Sequence, residues 1–207
     1  MLRILDQQDR LFFTRWLRSP LRTGAVMPSG PALARLMAAQ VDTVGDGMVV
    51  ELGGGTGAVT AALLEAGIPA DRLVVIERDV ALHGLLTDRF PDVAVLLGDV
   101  VRLRSHLRHL GVSQVEAVVS GLPLLSMTER LQRIILEQAF QVMDGEGVFV
   151  QFTYGPGSPI SRAKLERWNL EARQAGNSWR NVPPATVWRL TKVPAAATTE
   201  ATAREAG

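Results

Sequence analysis

Along this chain, short apolar runs alternate with longer stretches in which apolar residues return at every third or fourth position. The runs end at turn-forming breakers, Gly67-Ile68-Pro69, Phe90-Pro91 and Asp144-Gly145-Glu146-Gly147. Near-continuous Val, Leu and Ile marks strands buried on both faces, so the pattern predicts strands over 48–52, 72–77, 93–97, 115–120 and 147–154. Helices are expected between them, over 57–66, 79–89, about 101–110 and 127–143. Strict alternation of strand and helix calls for a mostly parallel sheet with helices on both faces. A further helix over 159–175 and two short strands, 178–182 and 186–191, are expected to close the sheet as a hairpin, giving seven strands. Upstream, residues 2–18 read as a helix with Leu2, Leu5, Phe12, Phe13, Trp16 and Leu17 on one broad arc, imperfect because Asp9 falls inside it and Ile4 and Leu11 outside. Ser19-Pro20 stops that helix, and Ser29 with Pro31 starts another over 32–40. The expected organisation is an amphipathic helix over 1–22, one α/β domain over 23–193 and a disordered tail over 194–207 rich in Ala, Thr and Glu.

Composition narrows the chemistry. A chain of 207 residues, 47% hydrophobic and 21% charged, suits one domain with a full core. It has no cysteine, which excludes disulfides, thiolate nucleophiles and zinc–thiolate sites. His83, His106 and His109 do not fall at metal-ligand spacing, so no metal is expected, and the last two read as surface residues. No apolar run reaches the roughly 18 residues of a membrane span, and Asp6, Asp9 and Arg10 interrupt any leader, so the expected compartment is the cytoplasm. The net charge of +1 conceals a basic start, in which Arg3, Arg10, Arg15, Arg18 and Arg22 face only Asp6 and Asp9.

The candidate chemistry sits where strands end. Val49-Val50-Glu51-Leu52 passes through Gly53-Gly54-Gly55-Thr56-Gly57 into a helix, a turn that lets the backbone come close to a bound nucleoside. The second strand ends in Glu77, about twenty residues past the glycines, where a carboxylate can grip ribose hydroxyls. The third ends in Gly98-Asp99 and the fourth in Ser120-Gly121-Leu122-Pro123-Leu124. In an open parallel sheet ligands bind outside the carboxyl ends of the strands, so these residues converge on one crevice. The loop lacks the G-x-G-x-x-G spacing of dinucleotide enzymes, and no Gly-Lys-Ser/Thr of a phosphate loop follows.

This ordered set, E-L-G-G-G-T-G, an acid after the second strand and G-D after the third, resembles the class I S-adenosylmethionine-dependent methyltransferases. The resemblance implies a Rossmann-like fold and S-adenosylmethionine as cofactor, leaving as S-adenosylhomocysteine. It implies a cofactor set of Gly24, Glu51, Gly53, Gly55, Gly57, Glu77, Arg78, Asp99, Val100 and Ser120. Within it, the glycines abut the amino acid part, Glu77 holds the ribose and Asp99 the adenine amine.

Together with Thr23-Gly24-Ala25-Val26-Met27-Pro28-Ser29, Ser120 to Leu125 and Gln151-Phe152-Thr153-Tyr154-Gly155, the loop looks more narrowly like the bacterial phospholipid N-methyltransferases similar to rRNA adenine dimethylases, over about residues 10–192. Such enzymes convert phosphatidylethanolamine stepwise to phosphatidylcholine. After the fourth strand, rRNA adenine dimethylases carry Asn-x-Pro-aromatic; Ser120 is read here in place of the Asn and Leu124 in place of the ring, which removes the hydrogen bonds and stacking a flipped adenine needs. No nucleic acid partner is therefore expected, and an rRNA or other nucleic-acid adenine methyltransferase is the alternative, with a non-enzymatic membrane-binding module behind it. Tyr154 and Ser120 are the expected catalytic pair bordering the amine, Tyr154 orienting it and stabilising positive charge through its ring. Arg15, Trp16, Arg18 and Arg22 are expected to meet substrate phosphate and an anionic membrane surface, placing the protein peripherally on the inner face of the cytoplasmic membrane.

Overall fold

The computed structural model describes residues 30–144, 146–179 and 183–194. The expected N-terminal helix with Arg15, Trp16, Arg18 and Arg22, the loop carrying Gly24, and the tail beyond Pro194 lie outside the described residues.

The described chain builds a sheet of seven strands: β1 (Met48–Leu52), β2 (Leu73–Glu77), β3 (Ala94–Leu97), β4 (Val115–Ser120), β5 (Val148–Tyr154), β6 (Leu170–Ser178) and β7 (Ala185–Lys192). Their spatial order is β3-β2-β1-β4-β5-β7-β6. The first five are parallel, and β7 inserts antiparallel between β5 and β6. The sequence therefore predicts the α/β class, the strand count and the Rossmann-like layering correctly.

Two apolar layers cover the sheet. On one face, α1 (Pro31–Ala38), α2 (Ala58–Glu65) and α3 (Val80–Arg89) bury Leu33, Met37, Leu63 and Leu86 against Val49, Val75 and Val119. On the other, α4 (Leu103–His109), α5 (Glu129–Val142) and α6 (Arg162–Arg167) cover Val50, Ile76, Val118 and Phe149. Helix α5 shows why its sequence folds this way: Leu131, Ile135, Leu136, Ala139 and Phe140 form one buried stripe at helical spacing, and the Thr128 side chain caps its start. Asp79 caps α3 in the same way, its carboxylate accepting the amides of Ala81 and Leu82.

One stretch departs from expectation. The helix expected over 159–175 covers only Arg162–Arg167, and the strand expected over 178–182 lies earlier, at Leu170–Ser178. Asn169 takes a left-handed φ of 54°, ends the helix and ties its amide and side chain into the adjoining backbone, donating to the carbonyls of Glu166 and Val193. Pairing with β7 from Leu170↔Lys192 to Ser178↔Ala185 then holds the next nine residues extended.

Candidate active site

The carboxyl ends of β1, β2, the segment after β3, and β4 meet at one edge of the sheet. A crevice there is lined by Gly53, Glu77, Arg78, Asp99, Val100 and Leu122, so five residues expected from sequence to contact the cofactor come together. Gly53, Gly55 and Gly57 all have positive φ, 76°, 56° and 83°. At Gly57 a Cβ would strike the Phe90 ring and Leu86, so that glycine closes the turn against α3. At Gly55 a Cβ would meet no atom within 4 Å, so open space lies over this residue, whose amide meets Glu77 of the crevice.

Glu77 braces this loop. Its Oε2 accepts the Gly55 amide at 2.9 Å, and its Oε1 accepts the amides of Arg78 at 2.7 Å and Asp79 at 2.8 Å. A carboxylate offers about four acceptor positions, so this orientation serves three amides and leaves about one for a hydroxyl donor. Glu51, on β1, is buried, and its Oε2 accepts the Thr60 hydroxyl at 2.6 Å. Burial pushes its pKa up to about 8, the Thr60 hydrogen bond opposes the shift, and the Glu77 charge adds to it.

At the far end of the crevice, Asp99 accepts the Val101 amide at 3.2 Å and begins a short turn. His106 differs from its expected surface position: it is half-buried, its Nε2 lies 3.1 Å from the Asp99 carbonyl, and its ring packs over Gly98. His109 is exposed, as expected. The imidazole thus supports the backbone that presents Asp99. Leu122 and Met127 line the crevice and His106 stands behind Asp99, roles that sequence reasoning missed. The first two carry no polar signature, and only their position in the loop after β4 could have signalled them.

The expected catalytic pair does not share a face. Ser120 is level with Gln151 across β4 and β5, and Tyr154 is three residues further along β5, hence on the opposite face. Ser120 is fully buried, its Oγ accepting the Leu122 amide at 3.3 Å, so its hydroxyl shapes the turn. Tyr154 is half-buried on the α1–α3 side, edge-on to Phe152 with ring centroids 5.4 Å apart. Counted back from Pro123, the Asn position of an Asn-x-Pro-aromatic turn falls on Gly121, a correction to its assignment to Ser120. A Cβ at Gly121 would lie 2.9 Å from the Gly53 carbonyl oxygen, so the two crevice loops pack too closely there for an asparagine side chain without a shift.

No family model matches the chain. It is 35% identical over 149 residues to an ornithine lipid N-methyltransferase of Singulisphaera acidiphila, covering 70% of this chain and 78% of that protein. The chain belongs to the class I S-adenosylmethionine-dependent methyltransferases. It is also 33% identical over 150 residues to a ribosomal RNA small subunit methyltransferase A of Streptomyces avermitilis, covering 66% of this chain and about half, 49%, of that relative. Among solved structures, a magnesium protoporphyrin IX methyltransferase from Synechocystis with bound S-adenosylmethionine superposes with a TM-score of 0.61 at 10% identity, covering 93% of this chain and 100% of that one. As a member of that family the protein uses S-adenosylmethionine, and the open space over Gly55 and the Glu77 carboxylate fit such a group. Among the described residues no cluster of acidic and histidine side chains suits a metal ion, and no helix is long and apolar enough to cross a membrane.

Proposed function

We propose that this methyltransferase N-methylates the primary amine of a membrane lipid headgroup, with phosphatidylethanolamine as substrate and its mono- and dimethyl derivatives as successive products. The observation that carries the reading is the similarity to the ornithine lipid enzyme, which extends over most of both chains, whereas the rRNA enzyme is matched over about half its length. Gly121 and Leu124 in the turn after β4 support it, because neither offers an adenine an edge hydrogen bond or a stacking ring.

When bound, the cofactor supplies a methyl group on a sulfonium, which an unprotonated amine attacks in line. The protein's part is positioning, since holding the amine at near-attack distance removes most of the entropic barrier. In this reading Gly53 and Gly55 approach the amino acid part, Glu77 and Arg78 the ribose, and Asp99 and Val100 the adenine. Tyr154 faces the acceptor with its ring and stabilises the ammonium as methyls accumulate. Ser120 acts through the turn it holds rather than by contact. Gly24 is assigned to the cofactor, and Arg15, Trp16, Arg18 and Arg22 to the phosphate and membrane surface, from sequence alone. The place of action is the inner face of the cytoplasmic membrane.

The test is label transfer from S-adenosylmethionine to vesicles containing phosphatidylethanolamine, to vesicles containing ornithine lipid, and to unmethylated ribosomal RNA. Label in phosphatidylethanolamine is the expected result. Label in ornithine lipid alone would change the headgroup, and label in RNA alone would overturn the lipid class.

A further inference from the structure

Three groups hold the segment that presents Asp99, and one of them comes from α4, a helix that lines no part of the crevice. The Gly98 amide donates to the Glu77 carbonyl at 2.9 Å, which ties the segment after β3 to the end of β2. The Asp99 carboxylate turns forward, one oxygen accepting the Val101 amide at 3.2 Å. The Asp99 carbonyl meets the imidazole of His106, whose Nε2 lies 3.1 Å away. A carbonyl only accepts, so Nε2 carries the proton and donates.

The same ring accounts for the glycine at 98. Gly98 does not take a positive φ, so no left-handed backbone calls for glycine there. A Cβ would lie 2.6 Å from His106 Nε2, and the three atoms nearest to it all belong to that imidazole. Leu103 and Leu107, on either side of His106, are buried, so the helix is anchored in the core and its ring can hold the loop instead of following it. The backbone rotation that directs the Asp99 carbonyl also directs the rest of the residue. With one position used by the Val101 amide, the Asp99 carboxylate keeps acceptor capacity for a donor in the crevice it lines. An exocyclic amine supplies such a donor, and a carbonyl in its place would face the carboxylate acceptor to acceptor.

We propose that His106 is a positioning residue for the cofactor's base: by holding the Asp99 carbonyl it aims the Asp99 carboxylate at an exocyclic amine, and so sets the preference for adenine over a base with a carbonyl at that position. The proposal rests on the placement of the adenine beside Asp99 in the reading above, and is independent of the methyl acceptor.

The experiment is calorimetry on the full chain with S-adenosylhomocysteine and with S-inosylhomocysteine, in which a carbonyl replaces the amine. The ratio of the two Kd values is the readout, because a histidine that only stabilised the fold would weaken both ligands together. Wild-type protein is expected to prefer the adenosyl compound about tenfold to a hundredfold, the range of a hydrogen bond to a charged group. His106→Leu, of similar bulk but without a donor, is expected to lower that preference about fivefold or more, since a misplaced acceptor forfeits most of such a bond. His106→Gln carries its Nε2 the same number of bonds from Cβ and is expected to keep the ratio within about twofold of wild type. His109→Ala, which alters an exposed residue of the same helix, is expected to leave both Kd values unchanged. An unchanged ratio in His106→Leu, or an equal fall in His106→Gln or His109→Ala, would overturn the positioning role. Asp99→Ala is the reference. If it keeps the wild-type ratio, the adenine does not lie beside Asp99 and that placement falls together with the role of His106. If Asp99→Ala lowers the ratio while His106→Leu does not, the role of His106 alone fails.

Discussion

At the scale of single residues, Glu51 makes stability depend on pH in a definite direction. Its carboxyl holds a proton in the folded protein up to about pH 8, whereas its ordinary value is 4.5. Below the lower value both states are protonated; between the two the folded state keeps a proton that the unfolded chain releases, so rising pH favours unfolding. Wild-type stability relative to Glu51→Gln should therefore fall from about pH 4.5 to about pH 8 and level off above it. Thermal melts across that range check this, each 1 kcal/mol appearing as roughly 2–4 °C. The glycines beside it separate folding from binding. Gly57→Ala forces a Cβ into Phe90 and Leu86 at a left-handed backbone and should cost about 2 kcal/mol or more of stability. Gly55→Ala meets open space, so its stability loss should stay near 1–2 kcal/mol, the left-handed penalty alone. Its loss of cofactor affinity by calorimetry should exceed that of any variant outside the crevice.

At the scale of elements, the loop after β4 is fastened by two buried glutamines. Gln151 Nε2 on β5 donates to the Leu122 carbonyl at 2.9 Å, and Gln132 Nε2 on α5 donates to the Leu124 carbonyl at 2.7 Å. Lys164 Nζ on α6 in turn donates to Gln132 Oε1 at 3.0 Å, so three elements fix one turn. Gln132→Leu should lower kcat/KM for the acceptor about tenfold, the cost of a buried carbonyl left unpaired, while the cofactor Kd moves less than twofold; steady-state kinetics with calorimetry reads both. This fastening was invisible in the sequence, where Gln132 is one polar residue of a helix. The interior parallel strands were legible because burial on both faces demands unbroken apolar runs. Strand β6 was not, since Leu170-Glu171-Ala172-Arg173-Gln174 is built from helix formers and is held extended by pairing with β7. The crevice residues Gly53, Glu77, Arg78, Asp99 and Val100 were legible because each stands at or just past the end of a strand, whereas the face of β5 that a residue takes was not, and that separated Ser120 from Tyr154.

Across the whole molecule, the two edges of the sheet divide the work. The carboxyl edge carries the crevice, and the amino edge is clamped by Arg72, whose guanidinium donates to the Gly47 and Thr43 carbonyls and pairs with Glu116 at 3.2 Å. Arg72→Ala unties the loop before β1 from the start of β4 and should lower stability by about 1–3 kcal/mol, read as a drop in Tm with cofactor affinity retained. The placement of β7 has a consequence for biosynthesis. Among the described residues the last strand in sequence is an interior one, so while the ribosome is still short of Lys192, β5 presents a row of unpaired amides and carbonyls, and β6 lacks its neighbour β7. The nascent protein passes through a stage with an open sheet and no guard on it, and its yield in a cell will be set by how briefly that stage lasts.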